Sequence, residues 1–470
     1  MMRTVLLSLA LVGAALVGAT RATDAPRALP AAGTTQVVVG LEAPPLAVAP
    51  GTASARRIGA EQARFERALG ASIPDARIHW RYRLVANGVS VVLREADVPR
   101  LARLPGVRRV YDNATYRVAA GPDATTIRVR GVAGVAALPN GGAGIKIGVI
   151  DDGVDQTHPF FDPTGFTMPP GFPKGQTEFT TAKVIVARAF APPGATWRYA
   201  GRPFDPEQSG HGTHVAGIAA GDANVQAEGQ RISGIAPRAQ LGNYKALTIP
   251  TDGDVGLDGN APEIVAAIET AVADGMDVIN LSIGEPEIEP SRDVVALALD
   301  AAAAAGVVPV VAAGNDYGDF GGGSLASPGT AADAITVGAT TSGASPAMAG
   351  FSAAGPTPLS HRLKPDVVAP GDSILSASPD GWRTSSGTSM AAPHVSGVVA
   401  LLLERHPDWT PAQVKASLTG TARPVDAGGT TVSPARSGAG LVDAAAADAP
   451  LVRATPTSVS FGLVAAGQSV

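Results

Sequence analysis

Cysteine is absent from all 470 residues of the sequence. Disulfides, thiol nucleophiles and thiolate metal ligands are therefore excluded, and the compartment must be read from other features. Long apolar runs are also missing. Beyond the N-terminus, no stretch reaches the ~18 apolar residues that a membrane-crossing helix needs. Aromatic residues make up 4% of the chain, charged residues 16%, and the formal net charge is −5. Without a basic excess, nothing points to a nucleic-acid partner. The chain has instead many alanines and 56 glycines, a composition suited to close packing of helices on a sheet. Its length leaves room for a large core and two or three domains.

Arg3 precedes an apolar run from Val5 to Val17 that is too short to span a bilayer, and small residues follow. This is the pattern of a secretory signal peptide over residues 1–22. Cleavage is expected near Thr20-Arg21-Ala22, with Ala19 and Ala25 as rival positions. The mature protein is accordingly expected outside the cell, free of the membrane. Charge divides unevenly after that point. Residues 26–113 sum to +6 with no lysine, and residues 114–470 to −12, which suits two parts that dock. Alternation and helical periodicity in the first part give a strand at Thr34–Leu41, a helix at Ala53–Leu69, strands at Arg77–Leu84 and Val89–Leu93, a short helix at Asp97–Leu104 and a strand at Val107–Tyr111. The order β-α-β-β-α-β is ferredoxin-like.

After Gly141-Gly142 the pattern becomes α/β. Lys146–Ile150, Leu241–Ala246, Asp277–Leu281 and Val307–Ala312 are short apolar strands, and helices are expected at 262–274 and 291–305. Strands alternating with helices imply a parallel sheet covered on both faces, with a site at the carboxyl ends of its strands. Asp151 ends one such strand, and Ala312-Ala313-Gly314-Asn315 ends another. His211-Gly212-Thr213-His214-Val215-Ala216-Gly217 opens a small-residue helix. Gly387-Thr388-Ser389-Met390-Ala391-Ala392-Pro393-His394-Val395 reads as a glycine turn leading into a buried helix, with Pro393 in its first turn. Ser389 there is either a helix cap or a nucleophile placed where free N–H groups favour negative charge. Gly-x-Ser-x-Gly, the α/β-hydrolase elbow, is excluded because Ala391 replaces the second glycine.

These four motifs, in the order Asp, His, Asn, Ser, resemble the subtilisin-like serine proteases (subtilases), and the likeness covers roughly residues 145–445. The resemblance implies a three-layer α/β fold with a parallel sheet, preceded by a small ferredoxin-like α+β propeptide domain. The expected division is signal peptide 1–22, inhibitory propeptide 23–118, catalytic domain 119–449, and the start of a truncated β-rich C-terminal domain at 450–470. It further implies a secreted serine endopeptidase that matures by cutting its own precursor. Asp151, His211 and Ser389 would form the triad and Asn315 would supply the oxyanion donor. Ser282, Ile283 and Gly284 would pair with an extended substrate, opposite the stretch Thr251–Gly259. Ala312, Ala313 and Gly314 would line a small, uncharged pocket suited to an apolar side chain before the scissile bond. Partners would be polypeptide substrates and the chain's own propeptide, held as an intramolecular inhibitor. A monomer is expected, with no cofactor required for the chemistry.

The chain has Asp152 where the family usually has Thr or Ser. Asp152 is expected to face solvent, the alternative being that it raises the His211 pKa. His158, His214 and His394 read as structural. Structural calcium is common in the family, and Asp252, Asp254 and Asp258 crowd a Gly-rich loop, with Glu263 beyond it. Their spacing does not match an EF-hand, so a solvated loop is the expectation and no metal ligands are assigned. A catalytically silent binding protein on the same fold is the alternative class, and it would be favoured by a lost triad residue; none is lost.

Overall fold

Strand β1 (Thr34–Leu41) sends Val37, Val39 and Leu41 to one side and Gln36 and Val38 to the other, as the two-residue period of a strand requires. The first set packs against helix α1 (Thr52–Ser72), whose Ile58, Phe65 and Leu69 recur at helical spacing and are buried. Each such side chain contributes about 1.5–3 kcal/mol when fully buried. Strands β2 (Arg77–Tyr82) and β3 (Gly88–Arg94), helix α2 (Val98–Leu101) and strand β4 (Val107–Tyr111) complete an antiparallel sheet of order β2-β3-β1-β4. This N-terminal unit is the ferredoxin-like one. The computed structural model describes residues 33–119, 132–250, 257–343, 345–427, 429–462, 464 and 467. The expected signal peptide, and Asp252 and Asp254, lie outside the described residues.

Strand β5 (Thr115–Val118) follows, and then the body begins with β6 (Lys146–Asp151), β7 (Lys174–Gly175) and β8 (Val184–Ala189). Helix α3 (Gly210–Ala220) leads to β9 (Gln240–Lys245), β10 (Leu257–Asn260), α4 (Ala261–Asp274), β11 (Val278–Leu281) and β12 (Ile283–Pro286). Helix α5 (Val294–Ala304), β13 (Val308–Ala312), β14 (Ile335–Thr340), β15 (Val367–Pro370), α6 (Thr388–Arg405) and α7 (Pro411–Thr421) come next.

Eight strands form one parallel sheet in the order β15-β14-β13-β11-β6-β9-β8-β7. Alternate residues feed the two faces: Ile147 and Val149 join a cluster containing Val215 and Val395, and Ile150 joins one containing Ile264 and Leu299. Helices α3 and α6 thus cover one face, and α4 and α5 the other. The chain leaves β6 for one side of the sheet and later returns to its other side, so a crevice opens at the carboxyl end of β6.

A second, antiparallel sheet lies at that edge. Its order is Ile249–Pro250, β10, β5, β12, Ala326–Ser327, so β5 sits in the middle between two strands of the body. The N-terminal unit docks on α4. The Glu269 carboxylate accepts the backbone N–H groups of Arg83, Leu84 and Val85 at 2.6–2.7 Å. Glu263 accepts from Gln36 Nε2 (3.0 Å) and Trp80 Nε1 (2.9 Å), and the Tyr82 hydroxyl donates to the Pro262 carbonyl.

Glu263, beyond the loop expected to be solvated and inside the helix expected there, is fully buried at this contact. Two expectations change. Helix α6 begins at Thr388, which places Pro393 inside it rather than in its first turn. The carbonyl that Pro393 cannot serve is that of Ser389, and it accepts the Ser282 hydroxyl at 3.0 Å instead. Finally, described residues 450–462 form no strand, and Leu451, Val452, Val459 and Phe461 are exposed. An extended segment needs a partner for its backbone donors, and none pairs with it among the described residues.

Candidate active site

Asp151 ends β6 inside the crevice and is 1% exposed. Its Oδ1 lies 2.8 Å from His211 Nδ1. His211 is the second residue of α3, whose first N–H groups have no partners within the helix. The Ser209 side chain, at the cap position, bonds the Asp152 carbonyl instead. The cap comes from Asp152: its Oδ1 accepts the Gly212 N–H at 2.7 Å and its Oδ2 the His211 N–H at 3.2 Å. Asp152 is 0% exposed, so the expectation that it faces solvent is corrected. The physical reason is the free donors and positive end of α3, which offer a carboxylate better partners than water does. Gly212 is required for this approach, because a Cβ there would lie 2.4 Å from the Gly153 carbonyl oxygen.

Burial and the neighbouring Asp151 charge raise the Asp152 pKa above the carboxylate range. Burial pushes His211 down, but the charge and hydrogen bond of Asp151 and the charge of Asp152 outweigh it, and its pKa is raised from 6.5. The other histidines differ. His214 Nε2 faces the carbonyls of Ile374 and Arg383, and burial pushes its pKa down to about 3. His394 bonds the Met390 carbonyl through Nδ1 and is pushed down to about 4 by burial. His158 caps Phe160 N–H and bonds the Gly381 carbonyl. All three hold backbone together.

Ser389 is the second residue of α6 and fully buried. Its hydroxyl donates to the Ser282 carbonyl at 2.9 Å, while His211 Nε2 is buried and has no hydrogen-bond partner among the described residues. Asn315 follows β13 and Gly314, whose φ of +102° suits glycine. Thr388 fixes the Asn315 amide: its N–H and hydroxyl both bond Asn315 Oδ1, at 2.9 and 3.0 Å. Nδ2 is thereby the end that faces the crevice.

What faces it is the chain itself. The Ala119 carbonyl oxygen accepts Asn315 Nδ2 at 2.5 Å and the Ser389 N–H at 3.4 Å. Ala119 N–H donates to the Ser282 carbonyl at 3.0 Å. Upstream, Val118 pairs with Ile283 and Arg117 with Gly284 on one side, and Tyr116 with Gly259 on the other. Ser282, Ile283 and Gly284 therefore form one wall of a groove filled by β5. Gly314 and Gly284 back onto the Ala326 methyl, which would lie 2.8 and 3.0 Å from a Cβ at either position. Ala313 is buried with Leu325 and Ala353 nearby, and Ala312 ends β13 in the core. Sequence reading missed Thr388, Ser282 as the Ser389 acceptor, and β5 as the occupant.

Among the described residues no group of three or more acidic, His or Cys side chains could hold a metal ion. Of the acidic residues described in that region, Asp258 pairs with Arg117 at 3.7 Å and Glu263 accepts from Gln36 and Trp80.

An imidazole with a buried carboxylate behind it thus lies at the carboxyl end of β6, and a serine hydroxyl and an amide donor flank a groove that holds an extended segment. Residues 142–440 match the subtilase family, and the chain belongs to that family. Subtilisin E of Bacillus subtilis (strain 168) is 34% identical over 282 residues, which is 60% of this chain. The match spans 61% of that protein's length. Subtilisin of Bacillus pumilus is 33% identical over 60% of this chain and 84% of its own length. An alkaline protease of Alkalihalobacillus alcalophilus is 32% identical over 76% of this chain and 78% of its own.

Proposed function

We propose that this chain is a secreted serine endopeptidase made as a precursor, with residues 23–119 as its inhibitory propeptide. The observation that carries the reading is the seating of the Ala119 carbonyl between Asn315 Nδ2 and the Ser389 N–H. In this reading Ser389 is the nucleophile. A serine hydroxyl becomes reactive when a neighbouring base takes its proton during attack. The hydroxyl leaves the Ser282 carbonyl for the unpartnered His211 Nε2, and its oxygen adds to the carbonyl carbon. Asp151 holds the His211 tautomer and stabilises the imidazolium. The oxyanion is met by Asn315 and the Ser389 N–H. Collapse expels the amine with the His211 proton and leaves an acyl-serine, which water then hydrolyses with His211 again as base.

The first bond cut would be Ala119–Ala120, one residue beyond the expected boundary at 118. The retained segment then blocks the groove through β5 until it leaves. Ser389→Ala is the test: N-terminal sequencing of both proteins from one protease-free host should find the wild type starting at Ala120 and the variant uncut at that bond. A variant cleaved like the wild type would refute self-processing; a wild type cut elsewhere would refute the assigned bond.

A further inference from the structure

Strand β5 carries Tyr116 three residues before Ala119, and the side chain is wholly buried. Its ring belongs to the apolar cluster that also contains Leu257, Ala261, Ile283 and Val295. That accounts for the ring but not for the hydroxyl, which needs a partner once buried. It donates to Asp293 Oδ1 at 3.2 Å. Asp293 is itself fully buried and held in place: its Oδ1 accepts the N–H groups of Val295 and Ala296, and its Oδ2 the Ser327 hydroxyl at 2.7 Å.

A second carboxyl converges on the same hydroxyl. Glu285 extends from β12, interacts with both Tyr116 and Asp293, and keeps a buried Oε1 with no hydrogen-bond partner among the described residues. Burial and the adjacent Asp293 charge push Glu285 up to about 8, so near neutral pH it holds a proton. The pair can then accept from and donate to one phenol oxygen. An unsubstituted ring in this place would leave the fully buried Asp293 carboxyl, and the part-buried Glu285 carboxyl beside it, without that oxygen. Leaving a buried polar group unpaired is what makes a site reject an analogue that lacks one hydroxyl.

We infer that the subsite for the fourth residue before the scissile bond selects tyrosine over phenylalanine, with Asp293 and Glu285 as the residues that read the hydroxyl. The inference rests on the endopeptidase reading. It is tested with peptides of sequence 113–123 carrying Tyr, Phe or Leu at position 116. For the processed enzyme, kcat/KM should be at least about tenfold higher for Tyr than for Phe, the discrimination of one buried hydrogen bond to a charged group. In Asp293→Asn and Glu285→Gln that ratio should fall toward one. A merely structural role would lower all three peptides together and leave the ratio intact, which would overturn the assignment of these carboxyls. Equal rates for Tyr and Phe in the wild type would overturn the selectivity itself. If no peptide is cut, the endopeptidase reading fails. The subsite is then judged by calorimetry, using Thr-Tyr-Arg-Val-Ala and Thr-Phe-Arg-Val-Ala on the same protein. Tighter binding of the tyrosine peptide would sustain the inference, and equal binding would end it.

Discussion

Asp151 and Asp152 are adjacent carboxylates with different surroundings: one faces the His211 ring and the other the backbone at the start of the His211 helix. Each carboxylate, while charged, raises the pKa of the imidazole. A base with a raised pKa stays protonated further up in pH, so kcat/KM should fall on the acid side below a value above 6.5. Burial and the Asp151 charge push Asp152 up to about 8, so it holds a proton through the acid limb, and Asp152→Asn should leave that limb in place. The amide keeps one acceptor for the helix and turns a donor toward the other N–H, at a stability cost of roughly 1–2 kcal/mol. A pH–rate profile checks the first effect and thermal unfolding the second. A limb that moves to lower pH would mean that Asp152 is charged across that range. Asn315→Ala tests the other half of the site. The amide gains most when the carbonyl oxygen becomes an anion, so kcat should fall ~10²–10³-fold with KM little changed. That magnitude is one known from a subtilisin and is carried over by family membership. Active-site titration followed by steady-state kinetics decides, and a loss under tenfold would remove Asn315 from the role.

At the scale of elements, the parallel strands and the N-terminal unit were legible because their signals are local. Val37, Val39 and Leu41 alternate, and Ile58, Phe65 and Leu69 keep helical spacing, so the burial pattern can be read before any partner is known. Four motifs likewise announced Asp151, His211, Asn315 and Ser389. What was hidden depends on partners distant in sequence. Strand β5 is only four residues long, and its pairing with β10 and β12 is what makes it a strand. Asp152 looked solvated because a carboxylate after a strand usually is; only the arrival of α3 supplies its donors. Described residues 455–462 show the converse, since their strand-forming composition is not enough without a neighbour. In α6, the acceptor freed by Pro393 is filled by Ser282 from another element. No local rule names that partner.

For the whole molecule, the +6 of residues 26–113 against the −12 of the remainder suggested docking by opposite charge. The contacts across that boundary are of another kind. Glu269 and Glu263 of the body bind uncharged donors: three backbone N–H groups, an indole and an amide. The exposed pair Arg292–Asp112 even has its signs reversed, with the cation on the body. Exposed pairs contribute about 0–1 kcal/mol and are screened by salt, whereas part-buried charge-assisted bonds such as those of Glu269 are screened much less. Charge should therefore steer the encounter of the two parts, and the Glu269 clamp should hold them. The lag between cleavage after Ala119 and the appearance of activity reports how long the N-terminal segment stays. Glu269→Gln keeps the size of the side chain but removes its charge and one acceptor from three aligned donors. A loss of about 2–3 kcal/mol, on the order of 30–100-fold in affinity, follows from the usual strength of hydrogen bonds to a charged group. The lag should shorten markedly. Raising the salt from ~0.1 to ~1 M shrinks the screening length from ~10 to ~3 Å, yet should shorten the wild-type lag less than about twofold. Following peptide hydrolysis from the moment of precursor cleavage measures both. A lag that collapses in salt and ignores the Glu269 substitution would show that long-range charge, not the clamp on α4, holds the segment in the groove.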